Sequence, residues 1–539
     1  MLVTAVVVGG MALRVWRLGD RSMWFDESVS WTTITRFSWG EMIQRAAQAV
    51  HPPLYYSCLR LWADCFGASL EALRLFSVVL AAVTMVGLYL FCRDAWGWGQ
   101  ERGAGSTEHG AGSGERGGRS VAASGTEGRW IGLLAAALAG ASSYHILWSQ
   151  QARMYTLGTA LVALSSWLLV RALRNHRLGW WLAYGVTAAA LMYTHNYGLF
   201  STAAQGYFVV CYLAWESGAM PAGRLRRLWL KAAVGLATAV VLYLPWVPVL
   251  ATQAERVAEG YWIRPLTGWT VPNAWLQLFW PRVAAGQPSR IAVVVVSLMV
   301  VGVLALSALK NRVAGWLVLA MAMVPVLCAT AVSLAWAPIV VPRYFVFAQV
   351  FVFCAVAAAV WRVGRGRLRA VAAVGLVAAS LGVHWRTVGG LDVAGHPGLR
   401  AAVDYVLSRR GTDEPLVVVH PAIFHAVRYY GRGAAEVRLF APGALSHYTG
   451  APLLVPGDRI NAGELERLPA GRLWVVDTTG FSRVFPRFRL PADWAPVAGT
   501  EASFDEVYDY QGRILVSQYV RVGRGAGSGR DRWEESGDK

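Results

Sequence analysis

The sequence predicts a polytopic α-helical membrane protein with about eleven transmembrane helices, followed by a small C-terminal α/β domain outside the membrane. Three observations lead there. Of 539 residues, 55% are hydrophobic and only 15% are charged, with a mean hydropathy of +0.40, too apolar for an ordinary soluble domain. The apolar residues gather into runs of about 18 or more, long enough for a helix to cross roughly 30 Å of hydrocarbon while satisfying its own backbone. Beyond residue 386 the pattern changes to short runs punctuated by Gly and Pro, as in a water-exposed fold of strands and helices.

The first apolar run, Leu2 to Leu13, is short for a span, and Arg14 and Arg17 can snorkel to the far interface. No small-residue cleavage site precedes the acidic pair Asp26-Glu27, so the run reads as a retained helix and not as a signal peptide. Residues 19–68 are polar to amphipathic. Trp31, Ile34 and Phe37, then Met42, Ile43 and Ala46, recur at helical spacing. Such helices suit the interface plane, and a helix in a water-facing loop would show the same spacing. A second span covers about 69–92. Residues 93–129 are rich in Gly, Ser and Arg, have almost nothing to bury, and are expected to be a disordered cytoplasmic loop. Further spans are expected near 130–148, 155–172, 180–194, 197–215, 229–250, 291–309, 314–336, 343–361 and 369–386. The membrane domain is thus 1–386. In the extracytoplasmic domain, 387–523, a helix is expected near Ala401–Leu407 and strands over Leu416–His420, Glu436–Phe440, Leu473–Thr478 and Ile514–Val520. The tail, 524–539, is expected to be disordered.

The formal net charge of +18 would suit a nucleic-acid binder, but its placement excludes that reading. Basic residues gather in alternate loops: Arg171, Arg174 and Arg177; Arg224, Arg226, Arg227 and Lys231; Lys310 and Arg312; Arg362, Arg365, Arg367 and Arg369. The opposite loops hold Arg153, the short turn at 195–197, Arg343 and the longer segment 251–290, which counts for less because the rule applies to short loops. Basic loops stay in the cytoplasm, which sends the second set and the C-terminal domain outside. The 26 Trp and 20 Tyr fit anchoring at the two interfaces. The six cysteines are scattered and none follows Cys354, so the C-terminal domain is not a disulfide scaffold.

All the candidate functional residues fall in the outer set. Asp26 can act as a general base if it is held, partly desolvated, against a hydroxyl. Equally, Asp26 and Glu27 can do no more than favour the N-terminus of the following helix. His51-Pro52-Pro53 joins a ligand or hydrogen-bonding group to a stiff turn, and a plain turn before a helix has the same sequence. Arg153, in Gln151-Ala152-Arg153-Met154-Tyr155, and Arg343, in Pro342-Arg343-Tyr344, either snorkel or grip a phosphate by a forked contact. Finding both on the side poor in positive charge favours an anionic ligand. His195, in Thr194-His195-Asn196-Tyr197, is either interfacial or a ligand. A lipid with a phosphate head would suit such a set.

Trp24-Phe25-Asp26-Glu27, His51-Pro52-Pro53, Gln151 to Tyr155, Thr194 to Tyr197 and Pro342-Arg343-Tyr344, in this order, resemble the bacterial family 39 glycosyltransferases of the GT-C class. These are relatives of the protein O-mannosyltransferases and of the aminoarabinose transferase that modifies lipid A. The resemblance covers about residues 1–390, and the acidic pair is its most specific part. It implies transfer of a sugar from a polyprenyl-phosphate carrier to an acceptor hydroxyl of a protein, lipid or envelope glycan, at the outer face of the cytoplasmic membrane. Asp26 would deprotonate the acceptor, and Glu27 would orient either Asp26 or the acceptor. Arg153, Tyr155, Arg343 and Tyr344 would hold the phosphate. A divalent metal (Mg, Mn or Zn) would fall to His51 and His195. His51 aligns with the position where the aminoarabinose branch has a metal-binding Glu followed by a Lys. Here Pro52 replaces that Lys, as in the mannosyltransferase branch, a departure that bears on both the metal and the phosphate contacts.

Two other classes share parts of this pattern. A transporter or flippase for a lipid-linked or anionic substrate would place its essential charges near the bilayer midplane on broken helices. A membrane-anchored receptor would lose all binding without residues 390–539.

Overall fold

The computed structural model describes residues 1–105, 115–281, 289–310, 312–363, 366–468, 471–481 and 484–522. They form two compact units. One comprises Met1–Asp20 and Ser30–Leu391, the other Arg21–Val29 and Asp392 onward. The first unit is helical. Each of the eleven expected spans is a helical stretch, and the chain is a multi-pass membrane protein.

Among the described residues, seven helices are long and apolar enough to cross a membrane: Leu70–Trp98, Tyr155–Asn175, Ala222–Glu259, Arg290–Leu309, Val313–Ala335, Pro342–Arg362 and Arg367–Arg386. An eighth span arises if Thr126–Ala141 and Ser143–Ser149, bent by 63°, are counted together. Leu2–Val15, Leu178–Thr194 and Gly198–Trp215 are shorter or carry more polar residues. Burial sorts the helices by role. The apolar windows of Tyr155–Asn175 and Pro342–Arg362 are 72% and 78% buried by protein, whereas that of Arg367–Arg386 is 6% buried. The two central helices approach closely where Gly158 leaves room for the Phe347 ring.

Arg14 does not snorkel. Its guanidinium is buried and donates to the carbonyls of Gly10, Ala139 and Gly140 at 2.7–3.0 Å. Ala139 and Gly140 lie in the last turn before the 63° bend, where helix carbonyls lose their own partners. A five-donor fork is suited to supplying them in an apolar setting. Residues 93–129 also differ from expectation. The helix Leu70–Gly105 runs on through the first part of this stretch, and Glu115–Ala141 begins within the last part. Extending an existing helix requires no new nucleus, so it can continue past its buried portion. Residues 106–114 lie outside the described set.

Between Leu2–Val15 and Leu70 the polar-to-amphipathic segment forms three short helices: Phe25–Arg36, Trp39–Gln48 and Leu54–Phe66. Ser38 and Glu41 form a reciprocal cap at the start of the second. That helix buries Met42 and Ala46 of the expected apolar stripe but exposes its third member, Ile43, together with Trp39.

The second unit is a seven-stranded mixed sheet. Its strands are β1 Leu416–Val418, β2 Val437–Phe440, β3 Arg459–Ile460, β4 Arg472–Thr478, β5 Trp494–Pro496, β6 Ala502–Asp505 and β7 Arg513–Arg521. The order is β3-β2-β1-β4-β7-β5, with β6 also on β7. β3, β2, β1 and β4 are parallel, and β7 is antiparallel to its neighbours. The four predicted strands are β1, β2, β4 and β7. The three missed ones are two to four residues long and carry little periodicity. Both faces of the parallel part are covered, so β1 is buried throughout. Leu399, Val403, Phe424, Leu416 and Val418 pack on one face, and Phe440, Leu465, Val417 and Val475 on the other. The chain leaves β1 toward β2 and β3, then returns across it to β4, which puts the reversal of strand order between β1 and β4. The tail from 523 lies outside the described residues.

A buried carboxyl sits under the helix Gly398–Leu407. Glu506 accepts the Leu399 N–H at 2.9 Å, and Gly398, at φ +60°, has no Cβ to collide with the carboxylate. Burial pushes the Glu506 pKa up to about 7, outweighing the N–H bonds from Leu399 and Val507. The folded chain therefore keeps a proton that the unfolded chain loses above about 4.5. This contribution to stability is complete at low pH and is lost as pH rises through 7. Glu506→Gln is expected to gain about 2–3 kcal/mol relative to wild type between pH 5 and pH 8. Thermal melting of the full chain at the two pH values reads this difference, and an unchanged difference would contradict it.

Candidate active site

In the helical unit the candidate residues come from turns at helix ends. His51 follows the helix Trp39–Gln48, its N–H bonded to the Ala46 carbonyl at 3.0 Å. Pro52 and Pro53 then start the helix Leu54–Phe66, a position where missing N–H groups cost nothing. Arg153 lies in the tight turn between Ser143–Ser149 and Tyr155–Asn175, closed by its own N–H to the Gln151 carbonyl at 2.9 Å. His195 and Tyr197 occupy the short turn between Leu178–Thr194 and Gly198–Trp215. Arg343 and Tyr344 lie in the single 3₁₀ turn Pro342–Phe345.

These turns converge. Arg153 is 2% exposed, and its guanidinium lies within reach of Ser30 Oγ at 3.3 Å, Tyr56 Oη at 3.4 Å and His51 Nε2 at 3.4 Å, among other groups. The Tyr155 ring lies 5.9 Å from His195 and 6.3 Å from Tyr344. Tyr344 in turn meets His195 at 4.7 Å and Tyr197 at 4.8 Å. The Arg343 guanidinium stands over Trp262 at 4.8 Å and over Tyr344 at 5.6 Å. His51, Arg153, Tyr155, His195, Arg343 and Tyr344 are thus gathered from nearly three hundred positions of chain.

Both imidazoles are neutral. Burial holds the His51 pKa well below the ordinary range, reinforced by Arg153, His195 and Arg343. Burial, with Arg153 and Arg343, pushes His195 down to about 3. His195 Nδ1 accepts the Tyr197 N–H at 3.1 Å, which leaves its proton on Nε2 as a donor. The Tyr197 hydroxyl is committed to the Ile339 carbonyl at 2.6 Å, tying this turn to the stretch before Arg343.

The expected metal does not fit this donor set. Among the described residues no three His, Cys, Asp or Glu side chains come together. His51 and His195 each feel two guanidinium charges, which repel a divalent cation and favour an anion. No step below uses a metal.

Asp26 and Glu27 occupy the first turn of the helix Phe25–Arg36, and Arg21–Val29 group with the second unit. The sequence places them in the membrane domain, 1–386, whereas the structure groups this short segment with the sheet-bearing unit. Glu27 is fully buried, and its carboxylate accepts the Trp24 N–H at 3.4 Å, so it serves as a helix cap. Asp26 is half-buried.

Sequence reasoning missed Ser30, Tyr56, Trp262 and the role of Tyr197. Tyr56 stands three residues beyond Pro53, one helical turn from the His51-Pro52-Pro53 motif. Trp262 carries no local signal.

No protein-family profile matches the sequence, and no curated protein matches it. Solved structures do. ArnT from Cupriavidus metallidurans bound to undecaprenyl phosphate is 11% identical, with a TM-score of 0.46, over 96% of this chain and 97% of that one. The same protein in the apo state is 17% identical, with a TM-score of 0.47 and the same coverage. The Saccharomyces cerevisiae protein O-mannosyltransferase Pmt1-Pmt2 complex bound to the sugar donor is 14% identical, with a TM-score of 0.33, over 53% of this chain and 37% of that one. The likeness is one of chain path at low identity, and the reading of function rests on the site's own residues.

Proposed function

We propose that the protein is an inverting glycosyltransferase that moves a sugar from a polyprenyl-phosphate carrier to an acceptor hydroxyl on the outer face of the cytoplasmic membrane. One observation carries this reading: two guanidiniums, the Tyr155 and Tyr344 rings and two neutral imidazoles gather at the ends of apolar helices. A phosphate on an apolar tail is the ligand that uses both the charge and the helices. The distribution of basic loops supports the outer side.

In the proposed reaction Asp26 takes the proton of the acceptor hydroxyl. The oxygen attacks the anomeric carbon, the carbon–oxygen bond to phosphate breaks, and the configuration inverts. The leaving lipid phosphate is already a stable anion and needs no acid. Arg153 and Arg343 balance the charge it gains, with His195 Nε2–H as a donor and the Tyr155 and Tyr344 side chains beside it. Glu27, as a cap, holds the turn that carries Asp26.

The bent pair at Ala141 is the kind of broken helix a transporter uses, but Arg14 already occupies the carbonyls it frees. The test incubates membranes containing the protein with radiolabelled polyprenyl-phosphate sugars and follows the label into protein, lipid and polysaccharide. Label moving with the wild type into one of these fractions is expected. No transfer from any donor would remove the reading.

A further inference from the structure

Open α/β sheets bind their ligands outside the carboxyl ends of parallel strands, where the strand order reverses. In the second unit that place lies beyond β1 and β4. His420 follows β1, and Phe481 follows β4. Their rings pack with Phe485 into one aromatic group. No separate ligand is required to fill it, because the chain supplies its own occupant. Phe25 lies 5.0 Å from Phe485 and 6.5 Å from Phe481.

The rest of the segment is held just as closely. The Met23 N–H donates to the Tyr430 hydroxyl at 2.8 Å. Ser22 Oγ donates to the Pro397 carbonyl and accepts the Arg400 N–H, both at 3.2 Å. Arg21 Nη1 donates to the Tyr508 hydroxyl. Trp24 packs edge-on against Tyr510 at 6.2 Å. Met23 and Trp24 are buried. Five consecutive residues, Arg21 to Phe25, are thereby gripped by the C-terminal unit, and the next residue is Asp26.

We infer that the C-terminal unit is a holder for the catalytic carboxylate: its strand-end crevice takes Phe25 as a ligand and so fixes the position of Asp26. The inference rests on the proposed role of Asp26 as base. A soluble domain that only recruited an acceptor would have no reason to spend its ligand crevice on a segment nearly four hundred residues upstream. A base must be placed to within a fraction of an ångström, and misplacement by about 1 Å costs on the order of 10²-fold in rate. Phe25, Tyr430 and Phe485 are positioning residues and need touch no substrate.

The full-length chain, in lipid nanodiscs, is assayed as Phe25→Ala, Phe485→Ala, Phe485→Leu and Tyr430→Phe. Loss of kcat by on the order of 10²-fold is expected for the two alanine variants, with the donor KM within about twofold of wild type. Phe485→Leu should recover much of the rate. The double variant Phe25→Ala/Phe485→Ala should be no slower than either single one, since each empties the same crevice. Tyr430→Phe removes one oxygen, keeps the fold, and should still lower kcat several-fold.

A second arm does not depend on transfer. Asp26→Cys is labelled with maleimide and read by mass spectrometry on the peptide carrying residue 26. Adding Phe485→Ala or Tyr430→Phe should change its labelling rate by about fivefold or more, because a freed segment samples more orientations. Wild-type kcat in all four variants while Asp26→Asn is inactive would overturn the holder and leave the transferase reading standing. Full activity in Asp26→Asn would overturn the base and the inference together. A labelling rate that neither substitution changes would overturn the holder on its own.

Discussion

Asp26→Asn is expected to lower sugar transfer by about three orders of magnitude, within the 10²–10⁴-fold range of general-base catalysis. Asn keeps the size of the side chain and can still sit in the first turn of Phe25–Arg36, so the protein should insert and melt as wild type does. What it loses is the ability to take a proton while the acceptor oxygen attacks. The effect should fall on kcat and leave binding of the lipid-phosphate donor nearly unchanged, because the phosphate is assigned to other residues. Steady-state rates with a labelled donor, together with an independent binding measurement, separate the two. A rate within tenfold of wild type would remove Asp26 from the reaction. Glu27→Gln makes a contrasting control. Its carboxylate is a buried cap on the Trp24 N–H, so its loss should appear mainly as instability.

Arg153→Ala is expected to weaken donor binding by about 30- to 1,000-fold, the equivalent of roughly 2–4 kcal/mol. Arg153 is buried, and its fork lies against Ser30, Tyr56 and His51. In the proposed reaction the anion that balances its charge is the lipid phosphate. Arg153→Lys keeps the charge but loses the planar fork, and should recover only a minor part of the affinity. Arg343→Ala should cost less. That side chain is less deeply buried than Arg153, and its guanidinium is stacked on Trp262. Equilibrium binding of polyprenyl phosphate to the three variants ranks them. Wild-type affinity in Arg153→Ala would sink the phosphate assignment.

The candidate site was legible because its residue types conflict with their surroundings. Arginines on the side poor in positive charge, and a carboxylate pair just beyond an apolar run, stand out without any structure. The gathering of His51, Arg153, Tyr155, His195, Arg343 and Tyr344 followed that signal. The metal reading of the two histidines came from residue type and the resemblance, and the two guanidinium charges that face them weigh against it. Arg14 misled as well. Snorkelling is what an arginine near a helix end does when nothing nearer accepts its protons, and the carbonyls of Ala139 and Gly140 are more than a hundred positions away.

Hydropathy and strand periodicity are properties of neighbouring residues, since each apolar run must find lipid or a core whatever lies elsewhere. The positions of the helical stretches, the change to an α/β unit and the four longer strands were therefore determined by the sequence alone. Which turn receives Arg153, which carbonyls hold Arg14, and the grouping of Arg21–Val29 with a sheet that begins at Leu416 were decided only by tertiary structure. Those outcomes depend on contacts between segments that no local pattern relates, and on a buried polar group taking whichever partner the packed chain brings within reach.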